Sequence, residues 1–475
     1  MMRRALAVLA LAPLAAYARD LPAPVREALA RAAVPLTAVA AVVEPASGSH
    51  ALVSHRATEP MNPASVMKLA TAYAALDLLG PAFTFHTDVL ATGEIKGGIL
   101  EGDLVIRGGG DPKLTYDRAW QLAHQLRARG LREIRGDIVI DRGYFAPLAY
   151  DPAKFDSDPR RAYNVGPDAL LVNFQAVNFT FSPDGEGVSV SAEPDLPNVE
   201  IASRIRVTRG ACGWWPENIR PEFTENGLIA TVVFTGTFPA ECGERSRAFA
   251  VMDSARFTES VLRWVWSEAG GVLRGKVRAG AAPPEAKLLY RHESEPLANL
   301  VRDMNKFSNN VMARHIFLAL SAERSGLPGE ARDAERVMRE WLREKKIEAP
   351  ELSIENGAGL SRSDRLSAAT IAALLARAWA SPVMPELAAS LPVLGTDGTL
   401  KTRRAAEAAG HAHLKGGTLT GVQSVAGFVL DRSGRRWIVV MIVNHPNANA
   451  AQPALDALVE WVHMQGTRSE VRGTR

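Results

Sequence analysis

The chain has 475 residues, enough for roughly two to four domains, of which 47% are hydrophobic and 23% charged. These values are ordinary for a globular protein with a full core, and they exclude disorder over most of the chain. Lys and Arg number 55 and Asp and Glu 52, a net charge of +3, which argues against a nucleic-acid binder because such proteins need a concentrated basic face.

The first residues have the features of a secretory signal. Arg3 and Arg4 precede an apolar run over residues 5–14, and an Ala-Tyr-Ala cleavage site ends at Ala18. Because a bilayer-spanning helix needs about 20 apolar residues, this run is short for an anchor. We therefore predict a signal peptide over residues 1–18 that is cleaved on export, with an uncleaved anchor as the alternative. The basic end of the chain, residues 465–475, leaves peripheral contact with an anionic surface open.

Predicted elements after the signal begin with a short buried strand over residues 36–43. Asn62 and Pro63 then predict the cap and first position of a helix that ends at Gly80. This helix is apolar nearly all round, which indicates that it is buried in the centre of a domain. From about residue 85 to residue 287, short alternating runs separated by Gly, Pro and Asp predict a β-rich segment with one or two helices.

Helical periodicity returns after residue 288, and the chain then ends in a sheet. Residues 425–430 and 437–443 predict two strands of a hairpin joined by a Gly-containing turn, and an amphipathic helix follows. Strands at both ends of a helical middle predict one α/β domain whose termini pair in a common sheet. The helices predicted in that middle lie at residues 297–304, 311–320, 331–343 and 368–378.

Cys212 and Cys242 are the two cysteines of the chain. An exported protein meets an oxidising compartment, so an even pair predicts one disulfide, which would close a hairpin-like excursion between the two residues. Two buried thiols are the alternative. No His or third Cys stands at ligand spacing from either residue, so we predict no metal site and no cofactor.

Ser65 and Lys68 are the first candidates for chemistry. The three-residue spacing places both side chains on one face at the start of the predicted helix. A serine hydroxyl needs a neighbouring base to become nucleophilic, and a lysine can be that base only when burial or nearby cations lower its pKa. The helix is otherwise too apolar to favour a lysine, which makes this single Ser-x-x-Lys match informative.

Two later motifs complete the set. Ser308 and Asn310 stand between two helical stretches; alone they indicate a helix cap, but with the first motif they supply a hydroxyl that relays a proton and an amide that holds a peptide. Lys415 precedes Gly416 and Gly417, which let a ligand approach the strand backbone closely. The order Ser-x-x-Lys, Ser-x-Asn, Lys-x-Gly is that of β-lactamases and penicillin-binding proteins.

With these motifs, the chain resembles the penicillin-binding protein 4 type D-alanyl-D-alanine carboxypeptidases/endopeptidases over nearly all of its length. The resemblance implies an α/β penicillin-binding transpeptidase domain, an antiparallel sheet with helices, made of residues 19–84 and 288–475 and carrying an inserted β-rich part at 85–287. Further segments that support it are Arg-Gly-Gly-Gly-Asp-Pro at 107–112, Asn-Gly-Ala-Gly-Leu-Ser-Arg at 356–362, Gly-Thr-Asp-Gly-Thr-Leu at 395–400 and Thr-Leu-Thr-Gly-Val at 418–422.

The resemblance also implies roles for single residues. Ser65 would be acylated, Lys68 would be its base, and Ser308 would pass a proton to the leaving D-alanine. Substrate binding falls to Asn310, which would hold the substrate amide, to Lys415, which would bind the terminal carboxylate, and to Gly417 and Thr418. The backbone N–H groups of Ser65 and Thr418 would form the oxyanion hole.

Peptidoglycan stem peptides and β-lactam antibiotics are the ligands that the resemblance implies, with the cell-wall machinery as a further partner and the periplasm as the location. One departure concerns the terminal carboxylate, because the family usually has Thr or Ser where this chain has Gly416. The hydroxyl of that Thr or Ser contacts the substrate carboxylate in the family. Its absence here predicts weaker carboxypeptidase activity or a shift toward internal crosslinks. The alternatives are an inactive peptidoglycan-binding homologue and a β-lactamase or esterase.

Overall fold

The computed structural model describes residues 20–48, 50–326, 328–403 and 406–465. The signal peptide predicted at residues 1–18 and the basic stretch from residue 466 onward lie outside these ranges. Among the described helices, none is both long and apolar enough to cross a membrane.

The helices pack on the sheets in three buried clusters, one with α2 and α5–α9, one with α1 and α10, and one with α3 and α4. The first and last helices, α1 and α10, pack against each other, and α1 is an element that the sequence did not predict. The helices are α1 Ala23–Arg31, α2 Lys68–Leu78, α3 Tyr116–Ala128, α4 Ser254–Glu268, α5 Leu297–Lys306, α6 Asn310–Ser325, α7 Ala331–Glu344, α8 Ala368–Trp379, α9 Met384–Ser390 and α10 Gln452–His463.

The strands fall into two runs, one at the chain ends and one in the middle. They are β1 Val39–Pro45, β2 Val53–His55, β3 His86–Ala91, β4 Ile95–Lys96, β5 Ile99–Leu100, β6 Leu104–Gly108, β7 Glu133–Ile134, β8 Ile138–Asp141, β9 Val177–Asp184, β10 Gly187–Glu193, β11 Val199–Thr208, β12 Ile219–Asn226, β13 Ile229–Pro239, β14 Arg245–Phe249, β15 Val272–Leu273, β16 Val277–Ala279, β17 Lys287–Glu293, β18 Ala412–Leu419, β19 Val422–Leu430 and β20 Arg436–Asn444.

One sheet joins strands from the early and the late parts of the chain. Its order is β18-β19-β20-β1-β2 and every pairing is antiparallel, with Val39 opposite Val443. Alternate residues of β1, β19 and β20 face opposite sides, and both sides are buried. One side packs on the cluster that includes α2, α5, α6 and α8, and the other packs on α1 and α10. The predicted pairing of the two termini in one sheet is confirmed.

The segment between α2 and α5 is β-rich, as predicted, and it contains the two helices α3 and α4. One sheet runs β16-β8-β6-β3-β17, a short one runs β15-β7-β5-β4, and a third runs β12-β13-β11-β10-β9-β14. These sheets share one buried cluster with α3 and α4. Cys212 and Cys242 are joined by a disulfide that brackets the hairpin β12-β13.

The predicted domain boundaries at residues 84/85 and 287/288 stay a prediction. The strand pairing favours placing the second boundary later in the chain. Strand β17 spans Lys287–Glu293 and pairs with β3 of the inserted part. A boundary after Glu293 therefore keeps that sheet whole, whereas a boundary at residue 288 would cut through its edge strand.

Candidate active site

Ser65 lies in a tight turn just before the central helix. The sequence predicted a helix capped at Asn62 with Pro63 as its first residue, and this start is wrong: a 3-10 turn spans Ala64–Met67 and α2 begins at Lys68. Asn62 still orders the turn, because its Oδ1 accepts a hydrogen bond of 2.9 Å from the N–H of Ala64. Ala64 has a φ of +48°, a left-handed backbone that non-glycine residues adopt at a cost.

The turn is held from the other side by a glycine. A Cβ on Gly359 would stand 1.9 Å from the carbonyl oxygen of Ala64 and 3.0 Å from the nitrogen of Ser65. Gly359 also has a φ of +75°, so both space and backbone conformation require glycine there. The strained conformation of Ala64 is thus imposed by residues distant in sequence, and it fixes where the hydroxyl of Ser65 points.

Lys68 is fully buried and faces Ser65. Its Nζ lies 3.1 Å from Ser65 Oγ, 2.7 Å from Asn310 Oδ1 and 2.6 Å from the carbonyl oxygen of Ala358. Burial lowers the pKa of Lys68 well below its ordinary value, and the nearby cations of Lys415 and Arg314 lower it further. A lysine whose pKa is lowered in this way can accept the proton of Ser65.

A second serine–lysine pair faces the first. The Nζ of Lys415, on β18, donates to Ser308 Oγ at 2.9 Å and to the carbonyl oxygen of Gly416 at 2.7 Å. Lys415 is also fully buried, and burial lowers its pKa to about 7. Ser308 has a φ of +54° and precedes Asn309, whose side chain caps α6 by accepting from the N–H of Met312. That cap places Asn310 at the first turn of α6, beside Lys68.

The edge strand β18 packs directly on the turn that holds Ser65, and Gly417 is the point of contact. A Cβ on Gly417 would stand 2.4 Å from Ser424 Oγ, 2.8 Å from the carbonyl oxygen of Pro63 and 2.9 Å from the nitrogen of Ser65. Only glycine fits at this position. Thr418 follows with an exposed side chain whose Oγ1 donates to Gln423 Oε1 at 3.1 Å.

Gly416 differs from Gly417 in its surroundings. The nearest atom to a Cβ built there is Leu400 Cδ2 at 3.8 Å, which is ordinary van der Waals contact. Neither the backbone conformation nor the space around a Cβ therefore requires glycine at residue 416.

The structure brings together the predicted catalytic and substrate-binding residues, which lie at the starts of α2 and α6, in the turns just before them, and on β18. It adds some residues that sequence reasoning missed. Arg314 is buried and donates to the carbonyl oxygens of Tyr163 and Val165. Its cation lowers the pKa of Lys68, whereas the buried carboxylate of Asp364 raises that pKa. The sequence could have pointed to Ala358 and Asp364, because Ala358 lies within the Asn356–Arg362 segment that resembles the family and Asp364 follows that segment. Among the described residues, no group of three or more His, Cys, Asp or Glu could hold a metal ion.

A serine paired with a buried lysine and backed by a second serine–lysine pair belongs to the class of enzymes that transfer acyl groups through a serine. The matching family model narrows that class: it covers residues 21–465, and the chain belongs to the D-Ala-D-Ala carboxypeptidase 3 (S13) family. This membership confirms the resemblance drawn from the sequence.

Relatives and solved structures agree with the family. The chain is 30% identical over 440 residues to the D-alanyl-D-alanine carboxypeptidase of Actinomadura sp. strain R39, covering 87% of this chain and 78% of the relative. The fold is similar to the crystal structure of penicillin binding protein 4 from Haemophilus influenzae, with a TM-score of 0.75, 22% identity and coverage of 91% and 97%. A second structure of that protein, complexed with a β-lactam, has a TM-score of 0.72, 21% identity and coverage of 93% and 100%. These structures confirm the predicted fold class.

Proposed function

We propose that this protein is a serine-type D-Ala-D-Ala carboxypeptidase and DD-endopeptidase that acts on peptidoglycan through an acyl-enzyme on Ser65. One observation carries the proposal: the buried Nζ of Lys68 lies 3.1 Å from Ser65 Oγ. The relatives named as D-alanyl-D-alanine carboxypeptidases support the same substrate class.

Acylation begins when neutral Lys68 takes the proton of Ser65. Oγ then attacks the carbonyl carbon of the penultimate D-alanine, and the oxyanion forms between the N–H groups of Ser65 and Thr418, which the close packing at Gly417 brings together. The C–N bond breaks, and Ser308 passes a proton to the leaving amine while Lys415 resupplies it through their 2.9 Å contact. Water then hydrolyses the ester: its oxygen bonds to the acyl carbon, the C–Oγ bond breaks, and one of its protons returns to Ser65 Oγ. The proton that Lys68 took passes through solvent to Lys415, so both lysines recover their starting protonation states.

Substrate binding uses groups that flank Ser65 and Lys68. Asn310 holds the peptide amide, and Lys415 supplies positive charge for the terminal carboxylate. Because Gly416 offers no hydroxyl, that carboxylate is bound less firmly than in a chain with Thr or Ser there. A crosslinked peptide also offers its second stem peptide for contact with the cleft, which compensates for weaker binding of a carboxylate. Gly416 therefore favours the endopeptidase reaction relative to the carboxypeptidase reaction.

β-Lactams enter the same scheme because their strained amide resembles the peptide bond that is cut. The Haemophilus influenzae structure complexed with a β-lactam supports this part of the proposal. The signal predicted at residues 1–18, the pair of half-cystines and a peptidoglycan substrate together support a periplasmic location for the mature protein.

The test is covalent labelling of the mature protein with a fluorescent penicillin, with Ser65→Ala in parallel. We expect labelling of the wild type, none of Ser65→Ala, and unchanged labelling of Ser54→Ala, a matched exposed serine on β2. Folded wild type that takes up no label would overturn the proposal and favour the inactive peptidoglycan-binding homologue, for which Gly416 is the supporting observation.

A further inference from the structure

A groove of about 900 Å³ lies in the inserted part, away from Ser65 and Lys68. It opens between β12 and β14, which are the two edge strands of the same sheet. The sheet curls far enough that Phe223 on β12 and Phe249 on β14 have ring centroids 5.6 Å apart. Trp215 packs against Phe181 and Phe238 on the same side. The base of the groove is therefore aromatic and rigid.

One wall of the groove carries a guanidinium without an acidic partner. Arg247 lies over the ring of Phe249, with its Cζ 4.7 Å from the centroid, and it donates to the carbonyl oxygen of Pro216 at 3.0 Å. Over the described ranges no carboxylate forms an ion pair with it. Partial burial lowers the pKa of Arg247, and the nearby cation of Arg161 lowers it further, while the carboxylate of Asp158, which forms no ion pair with it, offsets this only in part. A ligand carboxylate would offset both the burial of the Arg247 cation and its repulsion by Arg161, since guanidinium binds carboxylates through two parallel hydrogen bonds.

The rim of the groove carries an exposed indole. Trp214 is 71% exposed, and it stands two residues after Cys212, whose disulfide to Cys242 ties this loop to the sheet. An aromatic face left in water on an anchored loop is available for stacking. The C–H face of a sugar ring is apolar and carries partial positive charge, which matches the negative face of an aromatic ring.

The groove and the catalytic cleft are joined by one stretch of chain. Asp158, Arg161 and Tyr163 form the end wall of the groove. A few residues earlier, Phe155 packs on the apolar cluster of Ala64 and Leu419, next to Ser65 and Thr418. A polymer bound in the cleft can therefore continue along this stretch into the groove.

We propose that this groove binds the peptidoglycan strand beyond the bond that is cut, with a sugar ring stacked on Trp214 and a carboxylate of an attached stem peptide on Arg247. The proposal rests on the proposed function for the identity of the polymer. Binding in the groove raises the local concentration of stem peptides at Ser65 and so lowers KM for polymeric substrate, whereas short peptides that end at the cleft gain nothing.

The experiment measures binding and turnover separately in the full mature chain. Binding to purified peptidoglycan sacculi is followed by cosedimentation in a Ser65→Ala background, and turnover is followed on a short D-Ala-D-Ala tripeptide. Trp214→Ala and Arg247→Gln are the test variants; glutamine keeps most of the length of arginine and a donor for Pro216. Trp120→Ala on α3 and Arg204→Gln on β11 are controls that remove an exposed indole and an exposed charge elsewhere.

Each test variant is expected to weaken sacculus binding about tenfold, since Trp and Arg anchors typically dominate interfaces. Tripeptide turnover should stay within about twofold of wild type, because the cleft is untouched. Wild-type sacculus binding in both variants would overturn the proposal and leave the groove to a protein partner, and an equal loss in the controls would overturn it as well. Absence of penicillin labelling together with groove-dependent sacculus binding would refute only the proposed function.

Discussion

The catalytic cleft and the groove of the inserted sheet handle positive charge in opposite ways. In the cleft, Lys68 and Lys415 are fully buried, and burial lowers the pKa of each. In the groove, Arg247 is half-buried beside the exposed Trp214. Bond making needs a base that gives up its proton near neutral pH, whereas holding a polymer needs charge that persists and a surface that the polymer can reach.

The cleft and the groove also differ in what shapes them: backbone contacts shape the cleft, and side chains line the groove. Around Ser65, Gly359 and Gly417 approach so closely that a single added methyl group would collide with backbone atoms. The groove owes its shape to the curl of a sheet, and its contacting groups are side chains. Substitutions at these glycines should therefore displace the backbone of the site and slow acylation, whereas substitutions of the side chains in the groove should weaken binding of the polymer and leave acylation unchanged.

The largest effect is expected from Lys68. Lys68→Ala should lower the rate of acylation by penicillin about 10³-fold or more, since general base catalysis typically contributes 10²–10⁴-fold. Lys68→Arg should lose as much, because guanidinium keeps its proton. Stopped-flow acylation of each variant checks this, with Lys96→Ala as a control at the exposed Lys-Gly-Gly turn of β4 and β5. Substantial activity in Lys68→Arg would exclude Lys68 as the base.

Gly417→Ala is expected to slow acylation by about 10- to 100-fold, as is typical when the packing around an oxyanion hole is disturbed. The added Cβ would stand 2.4 Å from Ser424 Oγ and 2.9 Å from the nitrogen of Ser65, so β18 must move away. Gly416→Ala is the matched control, because its Cβ would meet only Leu400 at 3.8 Å. Equal rates for the two variants would contradict the proposed role of this contact.

The dependence of acylation on pH should reveal the coupling of the two lysines. Lys68 must be neutral to act, so the rate falls as pH drops through its pKa. The cation of Lys415 lowers that pKa; Lys415→Met removes the cation, the pKa of Lys68 rises, and the acid limb of the rate profile moves to higher pH. Acylation rates of the variant and of Arg204→Gln, a distant cation, measure this. An acid limb that stays in place would show that the lysines are uncoupled.

Loss of the disulfide should affect stability and leave chemistry intact. Cys212 and Cys242 are 30 residues apart in sequence, and removing a crosslink over such a loop typically costs about 2–4 kcal/mol. We expect the double variant Cys212→Ser/Cys242→Ser to melt at a lower temperature in calorimetry while acylation by penicillin stays at the wild-type rate. A large loss of acylation would show that the inserted part supports the cleft directly.

Gly416→Thr is expected to have the smallest effect. A Cβ at this position meets only Leu400 at ordinary contact distance. The new hydroxyl is expected to bind the terminal carboxylate, a gain of about 1 kcal/mol and so a few-fold in kcat/KM. Release of D-alanine from a D-Ala-D-Ala peptide should rise relative to cleavage of a crosslinked dimer, as measured by chromatography of the products. Gly416→Val fills similar space without a hydroxyl, so comparing it with Gly416→Thr separates the effect of the hydroxyl from the effect of added volume.

Sequence reasoning was most successful where periodicity is local. The Ser65–Lys68 spacing, the terminal hairpin β19-β20 and the helices after residue 288 are each visible in short windows. The curl of the inserted sheet and the groove that it forms depend on pairings between strands far apart in sequence. No local pattern indicates that Phe223 and Phe249 meet.

The candidate site shows the same limit at single residues. Asn62 and Pro63 have the composition of a helix start, yet contacts from Gly359 and Gly417 impose a 3-10 turn with a left-handed Ala64. Local preference gives way here to tertiary packing. The residues that lower the pKa of Lys68 come from α6 and β18, so sequence could predict that the pKa is lowered but not which cations lower it.

The pairing of β1 with β20 also sets the point during synthesis at which the active site can assemble. Ser65 and Lys68 leave the ribosome early, whereas Lys415 and Thr418 are among the later residues to be made. Because Val39 pairs with Val443, the sheet that carries Lys415 cannot close until the chain extends through β20. A chain that ends before β20 therefore holds a nucleophile without the second lysine in place, so activity on the cell wall is expected only from molecules that extend through β20.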